Sequence, residues 1–375
     1  MWLTAQQALA RLKAKPQSLY ASVSRGRIRA KPDPADSRRS LYNAEDVERL
    51  AARARGRRSS ATVAAEAINW GEPVLSSALT TIAGGRLYYR GVDAVGLSEA
   101  TDLETVATLL WGTTPAVGPG DNAATGWEAT LVDVAHLAAS MPPTLARPVA
   151  TLCADASETL TRLAAALTGA GQGPLHLRLA RYWRVPEAAD LLRRVLVLLA
   201  DHELNASTFA ARVTVSTGAS LAAGTLAGLA ALGGPRHGRA AAEVAALAED
   251  IGALGGDATN ALREWLGEGR GVPGFGHRLY PDGDIRAQAL LRQFEVPDEY
   301  VALARAADEV AGEAPNVDFA LAAITARFGL PNGAPTTMFA LARSVGWLAH
   351  MLEQAASGTP IRPRARYTGP APGRA

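Results

Sequence analysis

An all-α core behind a small basic module of helix and strand is the fold class that three observations predict. Apolar residues recur at three- and four-residue spacing through Leu103 to Trp111, Pro148 to Leu167, Glu187 to Leu204 and Pro335 to Gln354, the period of amphipathic helices. After residue 58 a hairpin pattern is read only in Leu79 to Val92, around Gly84-Gly85, and nearly everything later has helical period. Charge divides the chain: residues 1 to 58 hold 14 Lys and Arg against 5 Asp and Glu, a balance of +9, within totals of 38 and 36, so the remainder carries −7.

The elements follow in order. Thr4 caps a first helix, with Gln7 completing a capping box and Leu9 and Leu12 forming its apolar face. Pro16, at a favoured first-turn position, opens a second helix through Leu19, Tyr20 and Val23 to the turn Ser24-Arg25-Gly26. Ile28 and Leu41-Tyr42 read as two short strands around a turn from Lys31 to Asp36, and a third helix capped by Asn43 holds Val47 and Leu50. This order of helix, turn, helix, wing and helix resembles the winged helix-turn-helix of excisionases and MerR-type regulators. The resemblance implies DNA contact through residues 1–58, with Gln17, Ser18, Tyr20, Ser22 and Arg25 facing a groove and Arg27, Arg38 and Arg39 near phosphates. The same fold would also serve as a tether or protein-contact domain. Arg53 to Ala64 is the linker, Ala206 to Leu232 a buried helical hairpin, and the Pro/Arg/Gly-rich tail after Gly369 is expected to be mobile.

Composition removes several function classes. With 375 residues, 48% hydrophobic and 20% charged, the chain reads as a soluble globular protein with a large core. A single cysteine, Cys153, excludes an internal disulfide framework and a cysteine zinc site. All three lysines, Lys13, Lys15 and Lys31, lie in the basic module, so beyond it there is no Schiff-base lysine and no phosphate-loop lysine. Ala206 to Leu232 carries Arg212 and many small polar residues, a poor bilayer span. With no basic-then-apolar leader, a cytoplasmic protein without membrane contact is expected. Neither metal-ligand spacing nor a nucleotide fingerprint is evident.

The chemistry is carried by ordered strings: Asp201-His202-Glu203-Leu204-Asn205-Ala206-Ser207, Gly233-Gly234-Pro235-Arg236-His237-Gly238, Val272-Pro273-Gly274-Phe275-Gly276-His277-Arg278 and Pro315-Asn316-Val317-Asp318-Phe319, then Arg343 and Arg362. Singly, each has a plain structural reading. His202 would cap a helix C-terminus, Asp318 would cap the start of the next helix, and Arg362 would solvate the surface. In this order and spacing, over about residues 75 to 368, they resemble the citrate synthase family.

The resemblance implies a two-domain helical fold after the winged module of residues 1–58: a large domain of residues 59–236 and 325–375, and a small domain of residues 237–324 that closes over substrate, in an obligate homodimer. It implies condensation of acetyl-CoA or propionyl-CoA with oxaloacetate to citrate or 2-methylcitrate, with no cofactor, the coenzyme A thioester being a substrate. Asp318 would remove the α-proton of the thioester, neutral His237 would donate to its carbonyl, and His277 would polarise the ketone. His202, Arg286, Arg343 and Arg362 would hold the oxoacid, Arg362 from the partner subunit, because planar guanidinium groups suit carboxylates. Val272, Gly274 and Phe275 would line the coenzyme A site. Arg239, Ala242, Pro281, Ile285 and Ala320-Leu321-Ala322 depart from the family pattern. These departures and the basic module keep a second class open, a DNA-binding regulator that uses a degenerate domain as a coenzyme A or oxoacid sensor.

Overall fold

A computed structural model describes residues 2–12, 16–24, 26–34, 36–54, 75–121, 126–235, 237–253, 257–267, 271–363 and 368–369. The expectations for Lys13, Lys15, Arg25, Arg236, the linker beyond residue 54, Arg364, the tail beyond residue 369 and the side chain of Arg38 lie outside the described residues.

The N-terminal module runs strand Trp2–Thr4, helices Ala5–Leu12 and Pro16–Ser24, strands Ala30–Asp33 and Asp36–Asn43, and helix Ala44–Ala54. Its caps are the expected ones. Gln7 N–H donates to Thr4 Oγ1 at 3.3 Å and Thr4 N–H to Gln7 Oε1 at 3.0 Å, while Asn43 Oδ1 accepts from Glu45 and Asp46 N–H at 3.0 and 3.2 Å. Three details differ from expectation. Trp2–Thr4 pairs with Asp36–Asn43 as a third strand, too short to show alternation in the sequence. The wing strands extend to Asp33 and Asp36, leaving a tighter turn, and Ile28 precedes its strand as a core residue beside Leu3, Ala8, Leu19, Tyr42 and Val47. Ser22 is buried and its hydroxyl donates to the Ser18 carbonyl at 2.7 Å, so it does not face a groove.

This small core is separate from the main one, and the module leans on the main body. Helix Pro16–Ser24 packs on helix Asp298–Ala311, strand Asp36–Asn43 packs on helix Ala258–Gly267, and Ser40 Oγ donates to the Gly267 carbonyl.

In the main body the hairpin Thr80–Ala83 and Arg86–Tyr89 gains a short third strand, Val92–Asp93. The helix Ala334–Ser357 runs through the centre, against Ala206–Ser216, Leu221–Leu232, Ala189–Leu199, Leu103–Trp111 and Val149–Thr168. The helical hairpin Ala206–Ser216 and Leu221–Leu232 forms as expected, and Gly228 lets it approach: a Cβ there would meet the Trp347 ring at 2.9 Å. Burial on nearly every side explains why the central helix is apolar almost all round. Helices Ala240–Ala253 and Val317–Arg327 pack together, as do Ala258–Gly267 and Asp298–Ala311. No helix of the described residues is long and apolar enough to cross a membrane.

Candidate active site

The reading of Glu187 to Leu204 as one helix needs correction. A 3-10 turn, Pro186–Ala188, leads into Ala189–Leu199, and the chain then leaves the helix, so His202 lies in a turn rather than at a helix end. Asn205 marks the next helix start: its Oδ1 accepts from Ser207 and Thr208 N–H, each at 3.1 Å. Glu203 in this turn has φ of 51°, a left-handed conformation costly for a residue with a side chain. Its Oε1 is tied to Ile82 N–H at 2.9 Å. His202 is buried, with Nε2 3.0 Å from the Tyr280 hydroxyl and its ring edge-on to His277 at 5.1 Å.

His277 sits in a loop whose backbone needs glycine. Gly274 and Gly276 have φ of 78° and 65°, and side chains there would collide with Val244 and Glu313. The loop pairs with the segment before Asp318: Gly276 N–H donates to the Ala314 carbonyl and Asn316 N–H to that of Gly274, both at 2.8 Å. Leu279 N–H donates to His277 Nδ1 at 3.1 Å, which puts the proton of the neutral ring on Nε2. Burial, aided by Arg286 and opposed by Asp284, lowers His277 to about 4, so it is a neutral donor at physiological pH. His202 is likewise held well below its ordinary value, by burial first and then by Arg286, His277, Arg343 and His237.

Two buried arginines complete an anion-seeking box. Arg286 forms a bidentate pair with Asp284 (Nε–Oδ1 3.0 Å, Nη2–Oδ2 2.7 Å), and the same Oδ2 accepts Val317 N–H at 3.0 Å. Asp284 was not singled out in the sequence. It is held below its ordinary range because Arg286 outweighs burial. Arg343 donates through Nε to the Leu199 carbonyl at 2.8 Å and lies over the Phe339 ring at 5.0 Å, while its Nη2 has no hydrogen-bond partner among the described residues. Burial, countered by Asp201, brings it down to about 10.

Beside this box stand Asp318 and His237. Asp318 is near the start of helix Val317–Arg327, and burial pushes its carboxyl up to about 7 against the pull of Arg286 and Arg343, with Asp284 adding to the rise. Its Oδ1 has no partner among the described residues. His237 Nε2 is 2.8 Å from Ser207 Oγ, and that hydroxyl donates to Asn205 Oδ1 at 2.7 Å and accepts from Trp347 Nε1–H at 3.2 Å. Burial, with Arg343, lowers His237 to about 4. Ser207, Tyr280 and Trp347 join the site without a sequence signal, since a serine in the first turn of a helix and two aromatics are locally unremarked.

The remaining candidates are placed differently. Arg362 is exposed, next to Ile361, whose N–H donates to Ser216 Oγ at 3.0 Å. Ser216 ends the helix that begins beside Ser207, roughly 13 Å along its axis. Arg362 is therefore not brought into the cluster within one chain. The side chains of Val272 and Phe275 are buried, Phe275 against the Phe319 ring at 5.1 Å, and Gly274 lies between them. Ala320 is fully buried, and on a helix it lies about 200° around from Asp318, so this departure alters packing behind the carboxylate and not the space in front of it. Ala242 and Pro281 are exposed. No group of acidic, histidine or cysteine side chains suited to a metal occurs among the described residues.

A family model for the citrate synthase C-terminal domain matches residues 157–364, more than half of the chain. The citrate synthase of Haloferax volcanii is 40% identical over 191 residues, 48% of this chain and 50% of that protein. The 2-methylcitrate synthase of Mycobacterium tuberculosis is 34% identical over 217 residues, 54% of this chain and 53% of that protein. The chain thus spans about half the length of the curated relatives it matches. In three dimensions it shares the fold of the Thermoplasma acidophilum citrate synthase solved with carboxymethyl coenzyme A and oxaloacetate, with a TM-score of 0.64 over 80% of this chain and 95% of that one, at 24% identity. On this match and the ordered site strings, the chain belongs to the citrate synthase family.

Proposed function

We propose that the protein condenses an acyl-coenzyme A thioester, acetyl-CoA or propionyl-CoA, with oxaloacetate, giving citrate or 2-methylcitrate and coenzyme A. The observation that carries this reading is the box of buried Arg286, Arg343 and His202 with half-buried His277, beside a carboxyl poised near neutrality, Asp318. In this reading the arginines hold the oxoacid carboxylates and Arg362 joins them from the partner subunit of a homodimer. Asp318 takes the α-proton of the thioester, and His237 donates from Nδ1 to the thioester oxygen as it becomes an enol. That tautomer requires Ser207 to turn its hydroxyl proton from Asn205 Oδ1, 2.7 Å away, to His237 Nε2 at 2.8 Å. The enol carbon attacks the ketone carbon, the enol proton returning to His237, while His277 Nε2–H protonates the ketone oxygen and is restored by a proton from solvent. Water then cleaves the citryl thioester to the carboxylate and free thiol, and Asp318 gives up its proton. No metal or redox cofactor enters this scheme, and residues 237–324 are the lobe that closes on the large domain of residues 59–236 and 325–375.

For residues 1–58 we favour protein contact over DNA reading, since Ser22 is spent on Ser18 and helix Pro16–Ser24 lies against Asp298–Ala311. A thiol-release assay with oxaloacetate and each acyl-CoA tests the enzyme reading. Release that requires oxaloacetate supports it; tight binding of both ligands without release would favour a sensor.

A further inference from the structure

Asp201, His350 and Arg212 are buried groups that the proposed chemistry does not use. His350 Nε2 lies 3.0 Å from Asp201 Oδ2, both residues being 0% exposed, and Arg212 Nη1 lies 3.2 Å from His350 Nδ1. A guanidinium only donates, so Nδ1 carries the lone pair and Nε2–H donates to Asp201. Arg212 is locked in turn by Gln354 Oε1 and Glu353 Oε2, each at 2.8 Å, and by the Ser76 carbonyl at 3.1 Å.

The object of this chain is the turn that carries His202. The central helix meets the turn from positions 343, 346 and 350, one face by their spacing of three and four. Arg343 Nε donates to the Leu199 carbonyl at 2.8 Å, Gly346 N–H to that of Ala200 at 3.1 Å, and His350 to Asp201. A side chain at position 346 would collide with Asp201, so the fit is close. On the far side the Tyr89 hydroxyl lies 3.3 Å from the Asp201 carbonyl oxygen. We infer that Asp201 and His350 are positioning residues for the oxoacid site: their bond fixes His202 relative to Arg343, and Arg212 selects the His350 tautomer that makes the bond. This rests on the oxoacid reading above.

The test compares the full-length wild type with His350→Gln and His350→Phe, by steady-state kinetics and by calorimetric titration with oxaloacetate. Glutamine offers one donor toward Asp201 and one acceptor toward Arg212; phenylalanine offers neither. Because the pair shapes binding geometry and touches no reacting atom, His350→Phe should raise the KM and Kd for oxaloacetate at least about tenfold, with kcat and the acyl-CoA KM within about threefold. His350→Gln should recover most of the loss. An active wild type with an unchanged oxaloacetate KM in His350→Phe, or a glutamine variant as impaired as the phenylalanine one, overturns the positioning role alone. A wild type that neither turns over nor binds oxaloacetate overturns the oxoacid reading and this inference with it. If His350→Phe does not fold, Asp201→Ala removes the acceptor from the other partner, and an unchanged oxaloacetate KM there is equally fatal.

Discussion

Asn316 performs the capping that Asp318 would otherwise perform: its Oδ1 accepts the Asp318 N–H at 2.9 Å. The Asp318 carboxyl is thereby released from the helix end, its Oδ1 buried and without a hydrogen-bond partner among the described residues. Asn316 also donates through Nδ2 to the Gly276 carbonyl at 3.2 Å, so one side chain orients the candidate base and ties it to the loop of His277.

A base with its pKa raised to about 7 must titrate in the working range. Activity should rise as pH climbs through about 7, and Asp318→Asn should lower kcat at least about a hundredfold. The stability effect has the opposite sign. With the folded pKa above the unfolded value, the contribution is full below the unfolded pKa and is lost as pH rises through about 7. Asp318→Asn should therefore raise Tm relative to wild type at pH 8 and not at pH 4; equal shifts at both pH values would contradict the buried-carboxyl account.

The histidines titrate the other way. His237 and His277 are lowered from 6.5 to about 4, so their contribution is full above 6.5 and is lost as pH falls toward 4. Each is worth at most about 3 kcal/mol over that window. His277→Gln and His237→Gln should each flatten the fall of Tm between pH 6.5 and 4. A variant that loses Tm on acidification as steeply as the wild type would show that its histidine is not buried neutral.

Ser207 supplies a sharper test of the enol step. Without its hydroxyl, nothing at Nε2 selects the His237 tautomer that donates from Nδ1. Ser207→Ala should cut kcat by about tenfold or more while the oxaloacetate KM changes little. A loss confined to KM would assign Ser207 to substrate binding.

How much of this was legible in the sequence depended on range. Capping is local chemistry, so Thr4, Gln7 and Asn43 announced their roles, and glycine at 274 and 276 announced a loop that tolerates no side chain. Ordered strings marked His202, His237, His277 and Asp318. The supports are long-range and left no string: Tyr280 meets His202 across 78 positions, and His350 meets Asp201 across 149. The apolar period of Ala189–Leu199 continues through Leu204, so the sequence predicts a helix across His202, and periodicity cannot show where tertiary hydrogen bonds pull the chain off its axis. Trp2–Thr4 leaves no strand signal because three residues establish no alternation.

The N-terminal module offers the last prediction. Its +9 balance argues for a polyanion, yet Asp46 already pairs with Arg29 and Arg49 at 2.8 and 2.6 Å, Ser22 is spent inside the helix, and helix Pro16–Ser24 lies on Asp298–Ala311. A module that leans on the body should stabilise what it covers. Deleting residues 1–58 should lower the Tm of the remainder by several degrees through exposure of the surface around Ala258–Gly267 and Asp298–Ala311, while oxaloacetate-dependent thiol release persists, since every proposed site residue lies beyond the linker. DNA binding by the intact chain should be weak and steeply salt-dependent, the mark of phosphate neutralisation without base reading. Tight, sequence-selective binding at physiological salt, with no change in Tm on deletion, would reverse the assignment and make the module a DNA reader.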